Sequence, residues 1–132
     1  MKETGNIGGY AYDDARFNAS HAYLMPAVTT ELGKLTSGTL FDLGCGNGSV
    51  SKAYADLGWD VTGVDVSEDG IAQAKATYPD MRLEFGSAYD DLAAKYGTFD
   101  ALISLEVVEH VYDPRLYART VASLLNPGGT AI

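Results

Sequence analysis

Phe41-Asp-Leu-Gly-Cys-Gly-Asn-Gly-Ser49 decides how the chain is read. Leu40 to Leu43 is a short apolar run that predicts a strand, and the amphipathic stretch from Ser49 to Leu57 predicts a helix, so the glycines fall in the turn between them. A strand-to-helix turn sets main-chain N–H groups beside the carboxyl end of a sheet, where open α/β sheets bind ligands. Gly44, Gly46 and Gly48 let a ligand approach that backbone with no side chain in the way.

Working outward, apolar runs alternate with amphipathic ones. Asp60 to Asp65 predicts a second strand, and Ser67-Glu-Asp-Gly70 is the cap of a helix running to about Tyr78. Met81 to Phe85 is a third strand, Leu92 to Tyr96 a short helix or turn, and Phe99 to Leu105 a fourth strand. Pro114 to Leu125 is a helix with proline at its start; Asn126-Pro-Gly-Gly129 stops it, and Thr130 to Ile132 begins a fifth strand. The pattern predicts the α/β class with a parallel sheet. A last strand of about three residues is shorter than the usual five or six, so the sheet is expected to continue beyond Ile132 in a longer protein.

Toward the amino end, residues 1–12 carry glycine and tyrosine without a period and predict an irregular arm. Asp13-Asp14 starts a helical pattern in which Phe17, His21, Leu24 and Val28 recur at three- to four-residue steps through Leu35. Pro26 is expected to break it into two pieces, and Ser37-Gly38 ends it. The chain reads as one structural domain, residues 1–36 covering a ligand-binding body of residues 37–132.

Composition narrows the function classes. The 132 residues are 46% hydrophobic and 20% charged, with 15 glycines, as in a folded globular protein. Neither a membrane-crossing apolar run nor a secretory apolar core is evident, and Cys45 is the single cysteine, so a disulfide framework and a Cys-rich zinc site are excluded. A cytoplasmic protein is expected. With 9 Lys+Arg against 18 Asp+Glu, the net charge of −9 disfavours a nucleic-acid partner.

Asp65 gives the glycine turn its meaning. It closes the second strand roughly 20 residues after the turn, where a carboxylate can accept both hydroxyls of a ribose. A dinucleotide fingerprint needs Gly-x-Gly-x-x-Gly, whereas this turn has Gly44, Gly46 and Gly48 with Ser49 at the third fingerprint position. A plain tight turn is the other reading of the glycines, and Asp65 reduces its weight.

Three motifs carry a resemblance. Asp42-Leu-Gly-Cys-Gly-Asn-Gly48, Val61-Thr-Gly-Val-Asp65-Val-Ser67, and Phe99-Asp100 through Leu105-Glu-Val-Val-Glu-His110-Val111 resemble, in order and spacing, the motifs of Rossmann-like S-adenosylmethionine-dependent methyltransferases. The last is most similar to the ubiquinone-biosynthesis O-methyltransferases. The likeness covers about residues 36–132. It implies a three-layer αβα Rossmann-like sheet, mostly parallel and truncated at the fifth strand, with S-adenosylmethionine as cofactor and methyl transfer to an oxygen of a small-molecule acceptor.

Carried over residue by residue, it implies that Gly44, Cys45 and Gly46 face the methionine part and that Asp42 orders the turn near its amino group. Asp65 would hold the ribose and Val66 would lie on the adenine. Where the family often has Gly-Asp-Ala after the third strand, this chain has Gly86-Ser87-Ala88-Tyr89-Asp90, so Ser87 or Asp90 substitutes at the adenine amine while Ala88 and Tyr89 line the pocket. Leu105 completes the set, and Tyr12 from the arm is read as a lid contact.

Glu106, Glu109 and His110 stand at i, i+3 and i+4 and would share a helix face after the fourth strand. One reading makes His110 the general base for an acceptor hydroxyl, since imidazole titrates near neutral pH, with Glu106 orienting it. Two carboxylates and an imidazole also suit a divalent metal, as in similar small-RNA 2′-O-methyltransferases, but that family adds a later histidine and the acidity disfavours RNA, so no metal is assigned. A third reading leaves Glu109 and His110 as solvated residues at a helix start. His21 reads as a packed or surface residue, Trp59, Val61 and Val64 as core, and Cys45 as a loop residue rather than a nucleophile.

Two functions stay open: a methyltransferase, and a cofactor-binding remnant without catalysis. In the family order, loss of later strands would bare an edge, so a homodimer or higher oligomer joined around Phe99 to Leu105 and Thr130 to Ile132 is expected, with weak or absent methyl transfer.

Overall fold

The computed structural model describes residues 19–35 and 38–132, so the arm, the Asp13-Asp14 helix start, Phe17 and Tyr12 lie outside the described residues. In chain order the elements are α1 (Ala19–Leu32), β1 (Thr39–Leu43), α2 (Ser49–Asp56), β2 (Asp60–Asp65), α3 (Glu68–Thr77) and β3 (Arg82–Phe85), then α4 (Leu92–Tyr96), β4 (Phe99–Ile103), a single 3-10 turn (Val108–His110), α5 (Pro114–Ser123) and β5 (Leu125–Ala131). The strands form one sheet in the order β3-β2-β1-β4-β5. All four pairings are parallel, so the mostly parallel expectation becomes a wholly parallel sheet among the described residues.

Alternation along the strands builds the three layers, because successive side chains point to opposite faces. Leu40, Val61, Ala101 and Ile103 turn to one face, where Val28 and Leu32 of α1 and Val50 and Tyr54 of α2 cover them. Phe41, Leu43, Val64 and Leu102 turn to the other, against Leu92 of α4 and Tyr117 and Val121 of α5. Trp59, Val61 and Val64 are buried, as their pattern requires. A hydrogen bond of 3.1 Å between Thr29 Oγ1 and the Tyr54 hydroxyl joins α1 to α2.

Local chemistry sets the ends of the elements. Ser67 Oγ accepts from Gly70 N at 3.0 Å and caps α3, while Asp113 accepts from Leu116 N at 3.0 Å and caps α5 with Pro114 behind it.

Three expectations need correction. Pro26 does not divide α1, which runs through it from Ala19 to Leu32; proline removes one N–H, and burial of Val28 and Leu32 beyond it holds the helix on the sheet. The fourth strand stops at Ile103 rather than Leu105, because the chain turns away at Leu105 and Glu106. Asn126 to Gly129 does not precede the fifth strand but bulges within it: Leu125 already pairs with Phe99, and pairing resumes at Thr130 opposite Ala101. Pro127 has no N–H to offer a ladder, so a bulge suits it, and Asn126 Nδ2 fastens the bulge by donating to Asp100 Oδ1 at 2.9 Å. β5 is one edge of the sheet, whereas β4 is paired on both sides, so of the two segments expected to self-pair only Thr130 to Ile132 lies at an edge. Among the described residues no helix is long and apolar enough to cross a membrane.

Candidate functional site

At the carboxyl ends of the strands, where the connections to α2, α3, α4 and α5 begin, the surface opens into a cavity of about 480 Å³. That volume is in the ordinary range for small-molecule sites. The turn after β1 forms its floor. Gly44 is backed by the chain that follows β4: with φ at 91°, a Cβ there would come within 2.4 Å of Val107 Cγ2. Only glycine permits both that backbone and that approach.

Four main-chain donors of the turn are spent inside the protein. Gly44 N and Cys45 N both donate to Val64 O, at 2.8 and 2.9 Å, and Gly48 N donates to Cys45 O at 3.0 Å. Gly46 N donates to Asp65 Oδ2 at 2.9 Å. The sequence expectation of free N–H groups is therefore corrected at these four positions: the parallel neighbour β2 and its terminal carboxylate take three of them, and Cys45 O inside the turn takes that of Gly48. What the turn offers a ligand is a bare surface and a carboxylate behind it.

Asp65 is the junction of the site. Its second oxygen, Oδ1, accepts from Ser67 N at 2.8 Å, so one carboxylate ties the turn after β1 to the start of α3 while also lining the cavity. Burial raises its pKa above the usual carboxylate value, and the N–H groups of Ser67, Gly46 and Val66 hold that rise back. Asp42 is buried deeper, at the end of β1, and accepts from Ser51 Oγ at 2.6 Å. Desolvation pushes its pKa from 3.8 up to about 7, against the Ser51 hydrogen bond and with help from the Asp65 charge.

The structure brings most of the candidate residues together. Asp42, Gly44, Cys45, Asp65, Val66, Ser87, Ala88, Tyr89, Leu105, Glu106 and His110 all line the cavity. Gly46 lies behind the wall, where it holds Asp65, and Asp90 accepts from Ser87 N at 2.9 Å, shaping the loop from outside. The Cys45 thiol is buried, and burial together with the charges of Asp42 and Asp65 raises its pKa well above the ordinary value, so it stays protonated and is no nucleophile. The sequence reading missed Val50, Val107, Val111 and Tyr112 as walls. Val50 is the second residue of α2 and carried a core signal only; the other three lie in an irregular segment without a period.

The acidic cluster takes a different form from the one its spacing predicts. Glu106 stands in the turn after β4 at φ 57°, and only Val108 to His110 form a single 3-10 turn. Glu106, Glu109 and His110 therefore do not share a helix face. His110 Nε2 lies 3.9 Å from Glu109 Oε1, so the nearby carboxylate is Glu109 rather than the expected Glu106. Glu109 is not among the cavity-lining residues. Among the described residues, no three His, Cys, Asp or Glu side chains are gathered as a metal ion would need.

Comparison with known proteins gives this geometry its family. Residues 41–132 match the methyltransferase domain model. A ubiquinone biosynthesis O-methyltransferase of Caulobacter sp. (strain K31) is 45% identical over 97 residues, covering 70% of this chain and 38% of the relative. The protein of that name from Xanthomonas campestris pv. campestris (strain B100) is 39% identical over 103 residues, covering 73% and 42%. The chain thus spans about two fifths of the length of these curated relatives. Among solved structures, an S-adenosylmethionine dependent methyltransferase from Mesorhizobium loti superposes with a TM-score of 0.69 at 29% identity, over 85% of this chain and 51% of its own. The PH0226 protein from Pyrococcus horikoshii gives 0.72 at 28%, over 83% and 50%. Because the domain match runs from Phe41 in the first strand to the last residue of the chain, this protein belongs to the methyltransferase domain family.

Proposed function

We propose that the cavity binds S-adenosylmethionine and that the chain carries the cofactor site of a methyltransferase acting on an oxygen of a small-molecule acceptor. The observation that carries the reading is Asp65: a carboxylate held by Gly46 and Ser67 at the end of β2, facing a cavity whose floor is the glycine turn of β1. A pyrophosphate needs free main-chain donors, and the donors of Gly44, Cys45, Gly46 and Gly48 are already taken. The carboxylates of Asp65 and Glu106, with Asp42 partly ionised beside them, repel a polyanion and favour a ligand that carries a sulfonium and an ammonium group.

The residues fit that ligand. Asp65 accepts from the ribose hydroxyls, Val66 and the loop of Ser87, Ala88 and Tyr89 meet the adenine, and Asp42 with Gly44 and Cys45 borders the methionine end. When bound, the cofactor supplies an electrophilic methyl group. Transfer asks the protein chiefly for alignment of the acceptor with the methyl and sulfur, which positioning provides. His110 lines the same cavity and takes the acceptor's hydroxyl proton on a ring nitrogen. In this reading residues 37–132 are the binding unit. The buried Cys45 thiol suits a reducing, cytoplasmic setting.

Replacing Asp65 with alanine tests the assignment. Loss of the ribose acceptor is expected to weaken S-adenosylhomocysteine by about 1 to 3 kcal/mol, measured by calorimetry. Unchanged affinity would remove Asp65 from the site. Turnover with a labelled methyl donor and a panel of phenols then separates an enzyme from a binding remnant, which would bind without transfer.

A further inference from the structure

Leu105 to Asp113 runs along one wall of the cavity with only one 3-10 turn of its own. Both ends of this segment are fastened. At the first, Ser104 Oγ donates to Leu43 O at 2.8 Å and accepts from the Tyr117 hydroxyl at 2.6 Å, which pins the start of the segment between β1 and α5. At the second, Asp113 caps α5. Between those anchors hang Val107, His110, Val111 and Tyr112, all lining the cavity.

A third tie comes from the loop after β3. The Tyr89 hydroxyl oxygen accepts from Tyr112 N at 2.9 Å and from Asp113 N at 3.4 Å. Its ring meets the Tyr112 ring with centroids 4.5 Å apart and planes inclined by 50°. Tyr89 thus spans from the loop that borders one side of the cavity to the segment that borders the other. The loop itself is braced, since Ser87 Oγ accepts from Tyr89 N at 3.1 Å and Asp90 accepts from Ser87 N.

We propose that Tyr89 is a positioning residue: its hydroxyl latches the segment bearing His110 across the cavity, and so sets the width of the site between the adenine loop and the acceptor side. The claim rests on the reading of the cavity as an S-adenosylmethionine site. It assigns to the hydroxyl a role separate from the ring, which lines the cavity. Without the hydroxyl, the exposed N–H of Tyr112 and the half-buried N–H of Asp113 turn to water at little cost to the fold, while the segment gains freedom that binding must remove.

Tyr89→Phe separates the two roles, because it keeps the ring and deletes the acceptor. Three measurements are made on the full chain: amide hydrogen exchange, calorimetric affinity for S-adenosylhomocysteine, and thermal unfolding. The latch predicts faster exchange at Tyr112 and Asp113 with no change at Gly44 and Cys45, whose N–H groups bond Val64. It also predicts an affinity loss of roughly threefold to tenfold, the size of one net hydrogen bond, at an unchanged melting temperature. Tyr89→Ala, which also loses the ring contact, should weaken binding further. Exchange at Tyr112 and Asp113 as slow in Tyr89→Phe as in the parent overturns the latch, and so does undiminished affinity. If the parent protein fails to bind S-adenosylhomocysteine, the cofactor reading falls, and the exchange rates alone then decide the latch.

Discussion

Replacing Asp42 with asparagine is expected to leave stability near pH 4 almost unchanged and to raise it at pH 8 by an amount of the order of 4 kcal/mol. The cause is the distance between the carboxyl's ordinary pKa of 3.8 and its value of about 7 in the fold. A pKa raised by folding means that the native state holds the proton more tightly than the unfolded chain does. The contribution of Asp42 to stability is then fully present below 3.8, declines by about 1.4 kcal/mol per pH unit as pH rises toward 7, and is lost above it. Asparagine is neutral throughout and can still accept from Ser51 Oγ, so it removes the decline. Thermal unfolding of both proteins at pH 4 and pH 8 checks this. Equal melting temperatures at pH 8 would mean that Asp42 is ionised without strain. The same substitution should weaken a ligand that brings an ammonium group to Asp42, which would place the cost of the buried carboxylate in the service of binding.

Truncating Phe41 to alanine has the largest expected cost to the fold, about 3 to 5 kcal/mol. Phe41 is fully buried in β1, the central strand, with its ring 5.0 Å from that of Phe99 and 5.7 Å from that of Tyr96. Its removal opens a cavity between the sheet and α4 and also loses two aromatic contacts. For a domain whose total stability is about 5 to 15 kcal/mol this is a large share. Denaturant unfolding should show the midpoint fall at unchanged slope. A loss under about 1 kcal/mol would show that α4 collapses into the space.

What could be read in the sequence is what local chemistry determines. The bounds of β2, the Ser67 cap, Pro114 at the start of α5, and the placing of Asp65 beside the glycine turn all rest on periods and caps a few residues long. The destination of the turn's N–H groups was not legible, since it depends on Val64 and Asp65 arriving from the next strand. Glu106 at φ 57° was hidden for a similar reason: i, i+3, i+4 spacing describes a helix face, and the chain spends those residues on a turn that leaves the sheet. Pro127 and Gly128 gave a sound turn signal, but the bulge sits inside a paired strand because Leu125 already fits beside Phe99. Tyr89 read as a pocket lining; its hydroxyl's role needs Tyr112 and Asp113 across the cavity, residues more than 20 positions away in sequence.

The most direct test of the central claim is a calorimetric titration of this chain with S-adenosylhomocysteine and, separately, with a nicotinamide dinucleotide. The cavity should take the first at a stoichiometry of one per chain and ignore the second, because its acidic lining and the spent donors of Gly44, Cys45, Gly46 and Gly48 disfavour a pyrophosphate. Binding of the dinucleotide with no response to S-adenosylhomocysteine would contradict the account.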